Sequence, residues 1–219
     1  MGGFPQGLPP LLLAAALLMG CDKKDGGAAA QAGKPAVPDS THGKSMAQSQ
    51  SPWKVPEAYA ETFRDYRKSW APLTGYEFSG LHWNQFIALY VNKDPSRYMK
   101  NYLEYIRLYV DQDGEEAEEG DKHFEPYGVG TIFLKENFLS QDGKPGAPMT
   151  ITAMIKREPG FDPGSNDWQF LQWNREGVMI VDGNSHDAPT QALCIKCHSN
   201  MAERDFVFST YCNIKAPAD

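Results

Sequence analysis

Apolar and polar positions recur along this chain with two different periods, and the change from one to the other divides the sequence. Tyr59, Phe63, Tyr66 and Trp70 follow one another at spacings of four, three and four. Residues so spaced share one helix face, so the spacing predicts a helix over 57–70. Trp83–Val91 (WNQFIALYV) is short, apolar and aromatic, and reads as a buried strand that ends at Asn92–Pro95 (NKDP). Pro95 suits a first helical turn and opens a second helix, Ser96–Val110. Tyr98, Tyr102, Tyr105 and Tyr109 line one side of it, most simply as core packing with polar tips.

Beyond residue 130 the period falls to two. Gly130–Phe138 (GTIFLKENF), Met149–Arg157 (MTITAMIKR), Asp167–Asn174 (DWQFLQWN) and Val178–Val181 are short and rich in β-branched or aromatic residues. Turns containing Gly and Pro separate them. Alternation puts Thr131, Phe133 and Lys135 on one face of their strand, with Ile132 and Leu134 on the other. It likewise sets Met149, Ile151, Ala153 and Ile155 against Thr150, Thr152, Met154 and Lys156. Period two with short turns predicts an antiparallel sheet, and the helices before and after it make the class α+β, dominated by the sheet.

The first 51 residues belong to neither pattern. Leu11–Met19 (LLLAAALLM) is nine apolar residues, too short for a membrane span of about 20 but fitting the apolar region of a secretory signal. It runs into Gly20-Cys21, which resembles a bacterial lipoprotein signal, where the cysteine takes lipid and becomes the new N-terminus. Residues 1–21 are therefore expected to be a signal peptide, with Cys21 lipidated. Residues 22–51, rich in Gly, Ala, Ser, Gln and Pro and without an aromatic residue, read as a flexible tether reaching roughly 30 Å. The expected location is the periplasm or cell envelope, with the membrane touched only by the anchor. Residues 52–219 are long enough for one core. No internal repeat is visible. Seven acids in the eleven residues Asp111–Asp121 predict a solvated loop without calcium-loop spacing. A formal net charge of −7 argues against duplex nucleic acid as partner, because phosphates need a basic face.

Cys194-Ile195-Lys196-Cys197-His198 is the sharpest signal. From the composition of this chain, the C-x-x-C-H pattern is expected by chance only about 0.002 times. Two thiols at this spacing can add across the two vinyl groups of a haem. The histidine directly after them is then held beneath the iron as an axial ligand. One motif implies one covalent haem c. A structural zinc site needs four ligands, and no second Cys/His pair exists at matching spacing. A redox disulfide is expected near a βαβ pattern rather than close to the C-terminus, while spacing alone leaves a structural disulfide open. Met201, three residues past His198, belongs on the proximal side. The remaining histidines (42, 82, 123 and 186) and distant methionines are the conceivable sixth ligands. Cys212 reads as a small buried hydrophobe.

The order GTIFLKEN (130–137), AMIKREPGFDPGSNDWQF (153–170) and CIKCHSNMAERDFVFS (194–209) resembles the cytochrome P-460 family over roughly residues 80–212. The resemblance implies a β-rich, usually homodimeric fold with one c-type haem, His198 as proximal ligand and an open distal site. It implies that Lys135 makes a third covalent link, from its side-chain nitrogen to the haem edge. Related cytochromes c′-beta share the fold, lack that lysine and bind nitric oxide. The implied reaction is hydroxylamine oxidation, with electrons passed to a partner. The distal glutamate of hydroxylamine-oxidising relatives falls on Thr152, which can relay a hydrogen bond but is no base near neutral pH. Phe133 shares the face of Lys135 and is a candidate lining residue. Three functions follow for test: an enzyme acting on hydroxylamine or nitric oxide, a non-catalytic nitric oxide binder, and a six-coordinate electron carrier.

Overall fold

The computed structural model describes residues 51–80, 84–110 and 121–212. The expected signal peptide with Cys21, nearly all of the expected tether, His42, His82, Trp83 and the acidic segment up to residue 120 lie outside the described residues.

Seven strands form one antiparallel sheet: β1 (Ala71–Pro72), β2 (Glu77–Ser79), β3 (Gln85–Val91), β4 (Ile132–Gln141), β5 (Lys144–Lys156), β6 (Trp168–Asn174) and β7 (Met179–Gly183). Their order is β1-β3-β4-β5-β6-β7, with β2 also pairing β3. The α+β class expected from the alternating segments is the one observed. β4 and β5 run further than alternation indicated, because Asp142 and Gly143 both take positive φ (51° and 71°) and close a two-residue turn between Gln141 and Lys144. Paired positive φ is the geometry whose twist matches that of the flanking strands. Pairing slips at Asn137–Ser140, where Phe138 faces Pro148 and Ser140 faces Pro145. Proline has no N–H for the ladder, which is why the local pattern there does not read as strand.

The second expected helix is present as Ser96–Tyr109. Asp94 accepts from the Ser96 amide (3.1 Å) and hydroxyl (2.7 Å) at its start. The first expected helix is corrected: Glu57–Tyr59, Ala60–Phe63 and Tyr66–Ser69 are three separate short turns. Asp65 leaves helical geometry (φ −118°, ψ 21°) and interrupts them. The apolar spacing still holds, because Phe63 and Tyr66 are buried and Tyr59 and Trp70 pack beside them.

Alternation along the strands sorts the interior into two clusters. Ile132, Leu134, Phe138, Ile151, Ala153 and Ile155 join Phe63 and Tyr66. Phe133, Met154 and Phe170 join Tyr98, Trp168, Cys194, Ile195 and Phe206. One face of the sheet thus packs the N-terminal turns, and the other packs the long helix and the cysteine motif. Glu136 lies on the N-terminal face and is fully buried. Arg67 meets it twice, Nε to Oε1 at 2.6 Å and NH2 to Oε2 at 2.8 Å, and the Tyr66 hydroxyl also donates to Oε1. Among the described residues no helix is long and apolar enough to cross a membrane.

Removing one member of a buried ion pair strands the other charge. Arg67→Met is expected to lower stability by about 3–5 kcal/mol in urea titration, and adding Glu136→Leu is expected to recover most of that loss. A single variant as stable as wild type would contradict this anchor.

Candidate functional site

The motif follows β7 in a run of short turns: Ala188–Thr190, Gln191–Ile195, Lys196–His198 and Ser199–Arg204. Pro189 fits the first of them, where its missing N–H has no partner to lose. The second is a π turn, in which the Lys196 amide reaches back to Gln191 O, a widening often found at functional sites. Cys194 points into the core and is 8% exposed, whereas Cys197 is exposed. Neither is in a disulfide, so the structural-disulfide alternative is not what the fold adopts. Burial pushes the Cys194 thiol up to about 11, with Lys135 opposing the shift.

His198 is partly buried between two aromatic edges, with ring centroids 5.6 Å from Phe170 and 5.2 Å from Phe208. Its Nδ1 stands 2.7 Å from Phe206 O. A carbonyl oxygen only accepts, so Nδ1 carries the proton and Nε2 keeps a free lone pair. Burial holds the imidazole down to about 4, opposed by the Phe206 bond and helped by Lys135. At neutral pH the ring is therefore neutral, the form that ligates a metal.

Lys135 sits near the middle of β4. Register puts it directly beside Leu89 of β3 and Thr152 of β5, and Thr152 in turn beside Gln172 of β6 and Gln172 beside Val181 of β7. Directly paired residues project from the same face. Lys135 and Thr152 are thus adjacent on the face that packs the motif. The Lys135 amine is pulled down to about 8, chiefly by burial, with the Cys194 and Cys197 thiols pulling the other way. Its field also reaches His198. Among the described residues no carboxylate or other hydrogen-bonding group meets this amine.

Phe133 is placed differently from its expected lining role. It is 4% exposed and enclosed by Tyr127 (4.8 Å), Tyr98 (5.7 Å) and Trp168 (6.0 Å), so its ring serves the core. With Tyr98 and Tyr127 it floors a cleft of about 290 Å³ at the start of the long helix, away from the motif. The rings that flank His198, Phe170 and Phe208, were not singled out by the sequence pattern, nor was Gln172. Cross-strand register, which local periodicity does not contain, is what brings Gln172 beside Thr152. Tyr98 is buried with its hydroxyl on Tyr211 O (2.7 Å), consistent with a packing role for the tyrosine stripe. Cys212 is only partly buried against the same cluster. His123 and His186 are exposed, while Met154 is buried on the motif face.

A haem needs an axial nitrogen, two nearby thiols and apolar walls, and these residues fit it. The imidazole presents Nε2, the two thiols precede it, and Phe170, Phe208 and Val181 supply aromatic and aliphatic surface. Among the described residues no three His, Cys, Asp or Glu side chains converge as metal ligands, so this donor set is not a closed zinc cage. The sheet and this site define a β-rich haem cytochrome. The cytochrome P460 family model matches residues 82–209, more than half of the chain, and the chain belongs to that family, which implies a c-type haem. No curated protein matches the chain.

An acylating reagent attacks only the unprotonated amine. In haem-free protein, Lys135 labelling is expected to reach half its maximum near pH 8, against about 10.4 for exposed lysines. A Lys135 profile superimposed on those of the surface lysines, read by peptide mass spectrometry, would contradict the partly buried placement.

Proposed function

We propose that the protein is an exported mono-haem c-type cytochrome that oxidises hydroxylamine, or handles nitric oxide, at an open distal site and passes electrons to a partner. The observation that carries this reading is Lys135: an amine pulled down by burial, with no acidic partner among the described residues, on the sheet face that packs Cys194. In this reading Cys194 and Cys197 attach the single haem, and His198 Nε2 is its axial ligand. Lys135 Nζ bonds to the haem edge, as the family resemblance implies. Export follows from the signal-like segment 1–21, and anchorage from lipid on Cys21, which keeps the domain at the cell envelope. A homodimer is inherited from the same resemblance.

When bound, the haem supplies an iron that accepts a small nitrogen ligand and exchanges electrons. The residues of the chain set its surroundings. His198 is locked in one tautomer by Phe206 O, and the edges of Phe170 and Phe208 fix its plane. Outer partners of this kind orient a ligating histidine and raise its basicity. Thr152 Oγ1 and the Gln172 amide, next to each other across β5 and β6, can hold a substrate hydroxyl or amine by hydrogen bonds. Hydroxylamine must lose protons as it is oxidised; the Thr152 hydroxyl can pass them on without storing them, while the Gln172 amide only orients the substrate.

The absence of any carboxylate in the row Leu89–Lys135–Thr152–Gln172–Val181 favours a second reading, a nitric oxide binder without turnover. Two variants separate the possibilities. The ferrous wild-type protein is expected to absorb well to the red of ordinary c-type cytochromes, and Lys135→Arg to return an ordinary c-type spectrum. An identical spectrum for both would remove the lysine link. Thr152→Glu is expected to raise hydroxylamine oxidation on the order of 100-fold, the usual contribution of a placed general base. Unchanged turnover would favour the binder.

A further inference from the structure

Arg204 and Asp205, the charged pair that follows the motif, have no part in the reading above, yet both are buried. They face different layers. The Arg204 guanidinium lies over Tyr105 (4.9 Å) and Tyr109 (4.7 Å) of the long helix and over Phe124 (5.0 Å), and its NH1 donates to Phe208 O at 3.2 Å. Asp205 turns into the sheet. Its Oδ1 accepts from Lys156 Nζ (2.7 Å), Trp168 Nε1 (3.1 Å) and the Asn166 amide, and its Oδ2 accepts from the Tyr127 backbone N–H at 2.7 Å. Trp168 Nε1 also donates to the Asp205 carbonyl at 2.8 Å. Lys156 adds a bond to Asn166 O (2.6 Å) and stands 4.9 Å over the Trp168 ring.

So many bonds on one carboxylate exceed what balancing a single lysine requires, and a buried ion pair by itself adds little net stability. The backbone supplies a reason. Asp205 and Phe206 both take left-handed conformations, φ 54° and 62°. Two successive non-glycine residues there, one of them bulky, hold backbone strain. Such strain persists only where the surroundings over-determine it. The Phe206 amide donates to Met201 O at 2.8 Å, and the same turn brings the Phe206 carbonyl back onto His198 Nδ1. Without the clamp on Asp205, this pair would relax toward ordinary φ and carry the carbonyl off the imidazole.

We propose that Asp205, clamped by Lys156 and Trp168, is the positioning residue that holds the Phe206 carbonyl on His198 and so sets how strongly that imidazole donates through Nε2. Asp205 touches neither the imidazole nor any group bound by it; it acts through one peptide unit. The inference rests on the reading of His198 as axial ligand. Its signature is the donor strength of the histidine rather than the stability of the fold.

The test is the iron–histidine stretching band of the ferrous, haem-loaded full chain by resonance Raman, read beside the thermal midpoint of each variant. Asp205→Ala is expected to move the band to lower wavenumber. Asp205→Asn, which keeps an acceptor oxygen and tolerates left-handed φ, is expected to move it less. Trp168→Phe, which removes the indole donor and trims the ring while leaving Asp205 in place, is expected to move it in the same direction as Asp205→Ala. If Asp205→Ala fails to fold, the other two variants decide. A band that stays at the wild-type position in Asp205→Asn and Trp168→Phe, whatever their thermal midpoints, overturns the proposal and leaves a purely structural clamp. A wild-type protein without the band overturns instead the reading of a five-coordinate, open-site haem on His198, so the two failures are distinguishable.

Discussion

Placing a charge inside a sheet is costly unless a partner meets it, and β4 does so at two consecutive positions. Glu136 on one face is met by Arg67 and Tyr66. Lys135 on the other face is met by no acid among the described residues, and burial makes its amine hold its proton less tightly. The asymmetry orders the rest of the molecule. The neutralised face is packed with aromatic rings and serves as foundation; the other keeps a polar row across β4, β5 and β6 beneath the segment that carries the cysteines and His198. The two side chains are neighbours on one central strand. A reactive or ligating group gains from such support, since a site held on a central strand is better fixed than one on a loop.

The proximal side is built by a different device. The motif lies on a chain of short turns rather than on a long helix, and such turns do not by themselves fix a side chain. Orientation comes from outside: two aromatic edges, a carbonyl on Nδ1, and the consecutive charges Arg204 and Asp205 reaching to the long helix and to the sheet. The tyrosine stripe has a further use here, because Tyr105 and Tyr109 receive the arginine that follows the motif.

Features that depend on short-range chemistry were legible in the sequence. The C-x-x-C-H spacing marked Cys194, Cys197 and His198, and alternation set Lys135 opposite Ile132 and Leu134 on its strand and Thr152 opposite Ile151 and Ala153 on another. Features that depend on long-range register were not. Gln172 became visible only once β5 and β6 were aligned, and Phe133 looked the same from sequence whether it lined a pocket or filled the core. The continuous helix expected over 57–70 broke at Asp65 because burial of Tyr66 and Arg67 against Glu136, seventy residues away in the chain, outweighs local propensity. Asp205 lies within the family pattern, yet the role proposed for it rests on the four groups that bond to it.

The central claim is that one haem is bonded to this chain through two sulfurs and a lysine on opposite elements of the fold. Peptide mapping of the purified, denatured protein by mass spectrometry tests it most directly. The account predicts a single haem mass joined at once to the peptide carrying Cys194 and Cys197 and to the peptide carrying Lys135. A haem that separates from the chain on acid extraction, leaving both peptides at their unmodified masses, would contradict it.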